Sequence, residues 1–401
     1  MSPGQPLDRA RALLSRCPLV DGHNDIAWAI RCMPPDVAAA LDISIPQAAV
    51  RTDLPRLREG RVGAQFWSVY VPSTLAGDGA VTATLEQVEL VQTLVGRYPD
   101  DLALARTAAD VGEVFAGGAI ASLLGAEGGH SIGCSMGTLR TLYALGVRYL
   151  TLTHNDNVPW ADSATDEPRL GGLSPFGREV VREMNRLGML VDLSHVSPDT
   201  MVSAVEVAEA PVIFSHSSCR ALVDHPRNVP DAVLSRLAGN GGICMVTFVS
   251  DFVSEECRAW SAGAATAMGE SGLDSSHATD EGEAFRAEYA TAHVRPRATV
   301  SQVADHVENV RDVAGIDHVG IGGDFDGCDD FPDGLEDVGT YPVLFAELLA
   351  RGWSEPDCAQ LAGGNILRVM REAEATAARL AAERPPSTAR IESLDRPERQ
   401  D

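Results

Sequence analysis

Short runs of apolar and β-branched residues recur along the chain, and stretches with helical periodicity separate them. These runs do not alternate between apolar and polar positions, which is typical of strands covered on both faces of a sheet. The pattern predicts eight strands, at residues 18–23, 62–71, 119–126, 147–154, 189–195, 211–216, 241–248 and 318–324.

The segments between these strands predict helices with recognisable ends. Ser174-Pro175 and Ser197-Pro198 each place a capping hydroxyl before a proline at the first helical position. Gly188 and Gly315 follow helical segments and predict left-handed C-caps. The clearest predicted helices are 84–98, 136–145, 175–187, 198–209, 231–238 and 300–314, with two more near 341–352 and 355–374.

Alternating strands and helices predict an α/β fold, either a (β/α)₈ TIM-type barrel or a doubly wound open sheet. Residues 250–299 are acidic and rich in Ala, Gly and Ser, so we interpret them as an insertion after the seventh strand. The two last helices extend the fold at its C-terminal end. We expect one barrel domain over residues 1–375 and a polar C-terminal tail over 376–401.

Polar residues capable of metal binding or catalysis occur where the predicted strands end. In a barrel all these ends meet at one rim, whereas in an open sheet they are spread along an edge. Their distribution therefore favours the barrel. The residues are Asp21, His23, Asp25, Glu127, His154, His195, His216 and Asp324.

Five of these residues form a candidate metal-binding set, although each alone also fits a structural role. His195 and His216 stand in matching settings, each after an apolar strand and a serine, and neighbouring strand ends lie roughly 5 Å apart. Three imidazoles favour zinc, and five donors exceed the needs of one tetrahedral ion. The set instead suits two zinc ions that share a carboxylate. The candidate ligands are His23, Asp25, Glu127, His195 and His216.

Charge and composition narrow the classes of partner. The formal net charge of −25 argues against binding to nucleic acid or to an anionic membrane surface. None of the eight cysteines forms a C-x-x-C pair, so we expect reduced thiols. No stretch has the apolar length of a signal peptide or a membrane span. The sequence therefore predicts a cytoplasmic protein that does not associate with a membrane.

The motifs around these residues resemble those of the membrane dipeptidase (renal dipeptidase) family of two-zinc peptidases. The similarity covers most of the chain, from about residue 15 to residue 375, and its motifs occur in the family's order. The matching stretches are LVDGHNDIAW, LLGAEGGHSIG, YLTLTHNDNVPWADS, GMLVDLSHVS, VIFSHSSCRALVDHPRNVPD and VGIGGDFDG.

The resemblance assigns a role to each candidate ligand. It implies that His23 and Asp25 bind one zinc ion, that His195 and His216 bind the other, and that Glu127 bridges the two. Two zinc ions per chain are therefore the implied cofactor.

The resemblance also implies roles for three residues around the metals. His154 would contact the substrate and stabilise the oxyanion, Arg227 would hold the substrate's carboxylate, and Asp324 would transfer the proton. The implied reaction is hydrolysis of dipeptides, with a D-residue in the second position as one candidate substrate group, by attack of a zinc-bridging hydroxide. Relatives in the family are often dimers, which makes a homodimer one option for assembly.

Two other functions are compatible with a metal-binding barrel. One is a different amidohydrolase, such as an N-acyl amino acid deacylase or a lactonase, although most of these begin with an H-x-H motif and this chain has H-x-D. The other is a non-catalytic barrel that binds a ligand, which would require a broken metal set. We therefore expect a metallo-exopeptidase.

Overall fold

The computed structural model describes residues 5–273 and 280–395. Its strands all belong to one parallel sheet. They are β1 (Leu19–Asn24), β2 (Val62–Ser68), β3 (Leu102–Leu104), β4 (Ile120–Glu127), β5 (Val147–Thr151), β6 (Leu190–Asp192), β7 (Val212–Phe214), β8 (Ile243–Val246) and β9 (Val319–Ile321).

The sheet closes on itself as a barrel. From β2 the neighbours run through β1, β9, β8, β7, β6 and β5 to β4, and β4 pairs back onto β2 from Ala64↔Ala121 to Ser68↔Gly125. The short β3 lies outside this ring and pairs with the first residues of β4. The (β/α)₈ TIM-type barrel is confirmed, and the open sheet is excluded.

All eight predicted strands are present, but several end earlier than the apolar runs suggested. β6 stops at Asp192, β7 at Phe214 and β9 at Ile321, so the polar residues that follow them lie in turns. His195 and Asp324 have φ values of 69° and 63°, a left-handed conformation that takes the chain out of the sheet. These turns point the candidate ligands across the barrel mouth.

Helices cover the outside of the barrel. The predicted helices 136–145, 175–187 and 300–314 match the structure residue for residue. The α-helices among the described residues are α1 (Gln5–Leu14), α2 (Ile26–Cys32), α3 (Pro35–Ala40), α4 (Leu54–Glu59), α5 (Gly77–Arg97), α6 (Ala108–Ala116), α7 (Met136–Leu145), α8 (Pro175–Leu187), α9 (Pro198–Val207), α10 (Asp231–Asn240), α11 (Ser250–Val253), α12 (Glu255–Glu270), α13 (Asp280–Ala292), α14 (Val300–Ala314), α15 (Tyr341–Ala350), α16 (Glu355–Ala359), α17 (Asn365–Glu383) and α18 (Ile391–Leu394).

The helix ends follow their predicted signals, with one exception. Ser174 and Ser197 accept hydrogen bonds from the backbone N–H groups three residues later, at 3.1 and 3.2 Å. Gly188 is a left-handed C-cap at φ 83° and ψ 20°. The same prediction is wrong for Gly315, whose ψ of 157° is extended, because the chain enters a short 3₁₀ turn at Ile316–His318 before β9.

The segment between β8 and β9 is an insertion, as predicted, and it is helical. Before α14, its described part contains α11, α12 and α13, while residues 274–279 lie outside the described residues. Arg295 at its end bonds to Asp251 at 3.0 Å and pairs with Asp330 at 3.1 Å. The insertion is therefore fixed to the loop that follows β9, beside the barrel mouth.

The C-terminal part of the chain packs further than the sequence suggested. The predicted tail boundary at residue 376 falls inside α17, whose Leu380 is buried. Beyond that helix, the Asp395 carboxylate accepts bonds from the Ser174 hydroxyl at 2.6 Å and from the Phe176 N–H at 2.9 Å. The segment is therefore held against the N-terminus of α8 as far as Asp395.

Apolar side chains fill the lower part of the barrel. Val20, Phe66, Leu123, Ile213 and Met245 point inward from different strands and are fully or almost fully buried. The polar site above them therefore lies on a packed floor. None of the described helices combines the length and the apolar character needed to cross a bilayer.

Candidate metal centre and active site

The predicted site residues meet at the carboxyl ends of the barrel strands, around one cavity of 440 Å³. His23 lies beneath the cavity, and Asp21 lies within β1 and is fully buried. The cavity wall contains the other predicted residues, namely Asp25, Glu127, His154, His195, His216, Arg227 and Asp324. The loops therefore bring these residues together.

Glu127 stands at the centre of the histidines. Its Oε1 lies 2.9 Å from His195 Nε2 and 3.4 Å from His216 Nε2. Its Oε2 faces the other way, 3.4 Å from His23 Nε2, and accepts a bond from the Ser68 hydroxyl at 3.3 Å. The two carboxylate oxygens thus face two separate groups of donors.

The remaining donors complete these two groups. His23 Nε2 lies 3.1 Å from Asp25 Oδ2 and 4.0 Å from Asp324 Oδ1. On the opposite side, the Nε2 atoms of His195 and His216 are 3.0 Å apart. Ligand-type atoms within 4.8 Å of one another are found in three overlapping sets, all of which belong to this site among the described residues.

The donor set fits a metal centre. The five candidate ligands are at most 7% exposed, and His23 Nε2 and Asp25 Oδ1 are buried without a hydrogen-bond partner among the described residues. Buried polar atoms normally have partners. Converging lone pairs of imidazole and carboxylate groups are the arrangement in which a divalent cation supplies them.

The protonation states favour metal binding at the His195 side. Burial and the positive charge of Arg227 hold the pKa of His195 well below its ordinary value. Burial and the neighbouring His23 do the same for the pKa of His216. Burial opposes ionisation of Glu127, but the adjacent histidines outweigh it and keep its pKa well below the usual range. Neutral imidazoles therefore face an ionised carboxylate.

His23 is oriented from behind by a tyrosine. The Tyr149 hydroxyl lies 2.7 Å from His23 Nδ1, and Tyr149 is fully buried. Its ring occupies the space beside Gly125 on the neighbouring strand, where a side chain would overlap it. Tyr149 was not among the predicted site residues, because a tyrosine in an apolar strand has no distinguishing signal.

His154 is a neutral imidazole in the cavity wall. Its ring lies 4.7 Å from the Tyr70 ring and 4.3 Å from the His195 ring. Burial lowers the pKa of His154 to about 4, although the charge of Glu127 opposes this shift. At neutral pH, His154 can therefore donate a hydrogen bond to a bound molecule without carrying a charge.

Arg227 is a buried cation in the same wall. It is 4% exposed, and its guanidinium lies 5.3 Å from the Phe252 ring centre. Its Nη1 is buried and has no hydrogen-bond partner among the described residues. Burial lowers its pKa to about 10, so it remains charged at neutral pH.

Asp324 occupies a turn held close to the ligands. Its φ is 63°, and its N–H bonds to the carbonyl of His23 at 3.2 Å. The preceding Gly323 N–H donates to Asp21 Oδ1 at 2.6 Å. Burial raises the pKa of Asp324 well above its ordinary value; His23 opposes this shift, and Asp25 and Glu127 add to it. Such a group can both take and release a proton.

Several cavity residues were missed by the sequence interpretation. Trp28, Tyr70 and Phe252 line the opening, and His225, to which no role was assigned, lies there too. His225 Nδ1 accepts a hydrogen bond from the backbone N–H of Arg227 at 3.2 Å, and the centre of its ring lies 4.4 Å from that of the Phe252 ring. These residues come from helices and loops, where the spacing along the chain gives no indication of a shared site.

Known proteins share the sequence and the fold of this chain. Dipeptidase verJ of Clonostachys rogersoniana is 43% identical over 379 residues, covering 92% of this chain and 87% of that protein. The crystal structure of the probable dipeptidase PvdM from Pseudomonas aeruginosa has the same fold, with a TM-score of 0.80 and 24% identity over 93% of this chain and all of that one.

A second solved structure also shares the fold. It is a metallopeptidase from Rhodobacter sphaeroides with a bound phosphinate mimic of the dipeptide L-Ala-D-Ala. Its TM-score is 0.72 at 24% identity, over 89% of this chain and 99% of that one. The family model described as membrane dipeptidase (peptidase family M19) matches residues 7–384. The chain therefore belongs to the membrane dipeptidase family and is a metal-dependent dipeptidase.

Proposed function

We propose that this dipeptidase works with two zinc ions. In this proposal His23 and Asp25 hold one ion, His195 and His216 hold the other, and Glu127 bridges them. The opposed directions of the two Glu127 oxygens support the bridge. Three imidazoles favour zinc over magnesium or calcium. When bound, such ions polarise the scissile carbonyl and lower the pKa of water enough to supply a nucleophile at neutral pH.

The observation that carries a dipeptide substrate is the buried guanidinium of Arg227. A buried cation without a carboxylate partner is poised to bind an anionic ligand. It lines the same 440 Å³ cavity as the metal donors, which is ample for two amino-acid residues. We infer that Arg227 binds the substrate's terminal carboxylate and so restricts the enzyme to short substrates.

His154 and Asp324 complete the proposed chemistry. The neutral His154 donates a hydrogen bond to the oxygen of the scissile carbonyl, where negative charge develops during attack. Asp324 accepts a proton from the attacking water and then delivers it to the leaving amine. Its raised pKa supports both steps, because a strongly acidic carboxyl would hold the proton too weakly to deliver it.

A substrate screen tests this proposal. Zinc-loaded enzyme is incubated with L,L- and L,D-dipeptides, with N-acyl amino acids and with lactones, and released amine and acid are quantified. We expect turnover of dipeptides, including L-Ala-D-Ala, whose mimic is bound by the Rhodobacter sphaeroides relative. Preferential turnover of N-acyl amino acids or lactones would instead favour the other amidohydrolase functions.

Metal analysis on the same preparation tests the cofactor. We expect two zinc ions per chain, and fewer than one would support a non-catalytic barrel. The cytoplasmic location and the homodimer stay predictions.

A further inference from the structure

A buried carboxylate lies between the two strands that lead to His195 and His216. Asp192 ends β6 and is fully buried. Its Oδ1 accepts the Ser194 N–H at 3.1 Å and the Ser215 N–H at 2.9 Å. Its Oδ2 accepts the Ser215 hydroxyl at 2.6 Å and the Thr151 hydroxyl at 2.5 Å. Four donors hold this charge in one place.

Ser215 extends this network to a candidate metal ligand. Its Oγ lies 2.8 Å from His216 Nδ1. An ionised carboxylate only accepts, so the Ser215 hydroxyl donates to Asp192 and its lone pair accepts the proton on His216 Nδ1. This order leaves the lone pair of His216 on Nε2, the atom that faces Glu127 at 3.4 Å.

A second serine ties the same two strand ends together. The His216 N–H donates to Ser194 Oγ at 3.0 Å, and Ser194 Oγ lies 3.2 Å from Ser217 Oγ. In contrast, His195 Nδ1 is buried without a partner in the described part of the chain. His216 is thus the imidazole of this pair whose tautomer and direction are fixed from behind.

We propose that Asp192 and Ser215 are positioning residues for the metal ion at His195 and His216. The inference rests on the proposed two-zinc function. The ion at His195 and His216 would be supported by a relay that runs from the Asp192 carboxylate through the Ser215 hydroxyl to the His216 imidazole. A partner behind a ligating histidine sets its tautomer and raises its basicity. Asp192 also adds a buried negative charge to those of Asp25 and Glu127, and this charge favours the binding of two divalent cations.

Removing the hydroxyl tests the relay. Ser215→Ala and wild-type enzyme are equilibrated with zinc at a series of buffered free concentrations, and bound zinc per chain is measured. We expect Ser215→Ala to bind one of its two ions about 10- to 100-fold more weakly and the other normally. Ser215→Thr keeps a hydroxyl and should restore most of the affinity.

Ser122→Ala is the matched control. Ser122 is also buried in the barrel, but its hydroxyl has no hydrogen-bond partner among the described residues. The same atom is therefore removed without touching a ligand, and the affinity for both ions should be that of the wild type. The melting temperature of each metal-free variant separates loss of fold from loss of affinity.

Asp192→Asn is a second variant, which should weaken the same ion. If it does not fold, Ser215→Ala decides alone. Unchanged affinity for both ions in folded Ser215→Ala would overturn the inference, and so would equal weakening of both ions. Failure of the proposed function looks different, because wild-type enzyme would then bind fewer than two ions or leave dipeptides intact.

Discussion

The charges of Asp25 and Glu127 near Asp324 affect its ability to accept and release a proton. Asp324→Asn keeps the shape of the side chain but removes its proton acceptor. We expect both metal ions to be retained while kcat falls about 10²- to 10⁴-fold. Steady-state kinetics together with metal analysis check this, and turnover close to that of the wild type would exclude the proton-transfer role.

Gly327 controls the space between two carboxylates. A Cβ at this position would lie too close to Asp324 Oδ1 and only 2.5 Å from Asp25 Oδ2. Gly327→Ala should therefore lower kcat and weaken the ion beside His23, as measured by turnover and zinc titration. Gly79→Ala is the control, because a Cβ there meets no atom within 4 Å. Equal behaviour of the two variants would contradict this account.

Substitutions of Arg227 test whether the enzyme prefers substrates with a free carboxylate. Arg227→Ala should raise KM for dipeptides strongly but should change the hydrolysis of a C-terminally amidated dipeptide little. Arg227→Lys should recover only part of the affinity, because an ammonium group lacks the planar fork that binds a carboxylate at two points. An equal loss on both substrates would count against direct contact.

Residue type and position predicted which candidate residues meet at the barrel mouth, but not the residues that contact them from behind. His23, Glu127 and His216 combine a metal-binding side chain with a place at a strand end, so sequence alone could identify them. Tyr149 and Asp192 have no such signal, since their importance comes from a hydrogen bond to a residue distant in sequence. Such contacts exist only once the barrel has closed.

At the scale of elements, the barrel strands were predictable because each is an apolar run between helices. β3 was missed because it lies outside the barrel, pairs only with the start of β4 and exposes Leu104, so no buried apolar run marks it. The helices α12 and α13 were missed because their composition of Ala, Gly, Ser and acidic residues lacks an apolar period. Arg295, which follows α13, instead joins this region to Asp251 of α11 and to Asp330 in the loop after β9.

Glu183 on α8 joins two helices to the C-terminal segment. It accepts bonds from Arg140 at 3.0 Å, Arg186 at 2.8 Å and the Ser387 N–H at 3.1 Å. Glu183→Gln should lower the free energy of unfolding by about 1–3 kcal/mol at pH 7, as measured by urea denaturation. Glu179→Gln, which alters a more exposed pair with Arg182, is the control and should have a much smaller effect.

The same carboxylate predicts a pH dependence. Burial opposes its ionisation, but the bond from Arg186 and its other donors lower the pKa of Glu183 below the ordinary value. Its stabilising contribution is thus complete above the unfolded-state pKa of about 4.3 and is lost as the pH falls through the folded-state pKa. The difference in stability between wild type and Glu183→Gln should shrink on acidification, and a constant difference would contradict this assignment.

At the scale of the whole molecule, closure of the barrel brings candidate ligands from distant parts of the chain into one buried cluster. Ions that bind only the folded protein stabilise it by about 2.7 kcal/mol at a concentration of 100 times Kd. Removing zinc with a chelator should therefore lower the melting temperature by about 3 °C for each ion. Calorimetry with and without chelator measures this shift.

A ligand variant provides the comparison. Glu127→Gln should show little or no shift between the zinc-loaded and chelated forms, because it lacks the charge of the proposed bridging carboxylate. Ser122→Ala should keep the full shift. A chelator that left the melting temperature of the wild type unchanged would show that the buried donors are not coupled to metal in the folded protein.

Gly125 carries no reactive group, yet it admits the tyrosine ring that steers the imidazole of His23. One added methyl group at Gly125 would displace the Tyr149 ring and, through it, the candidate ligand His23. A substitution of Gly125 would thus disturb the site while leaving every reactive side chain intact. A catalogue of active-site chemistry would overlook this position, although the orientation of His23 depends on the space that the absent side chain leaves for Tyr149.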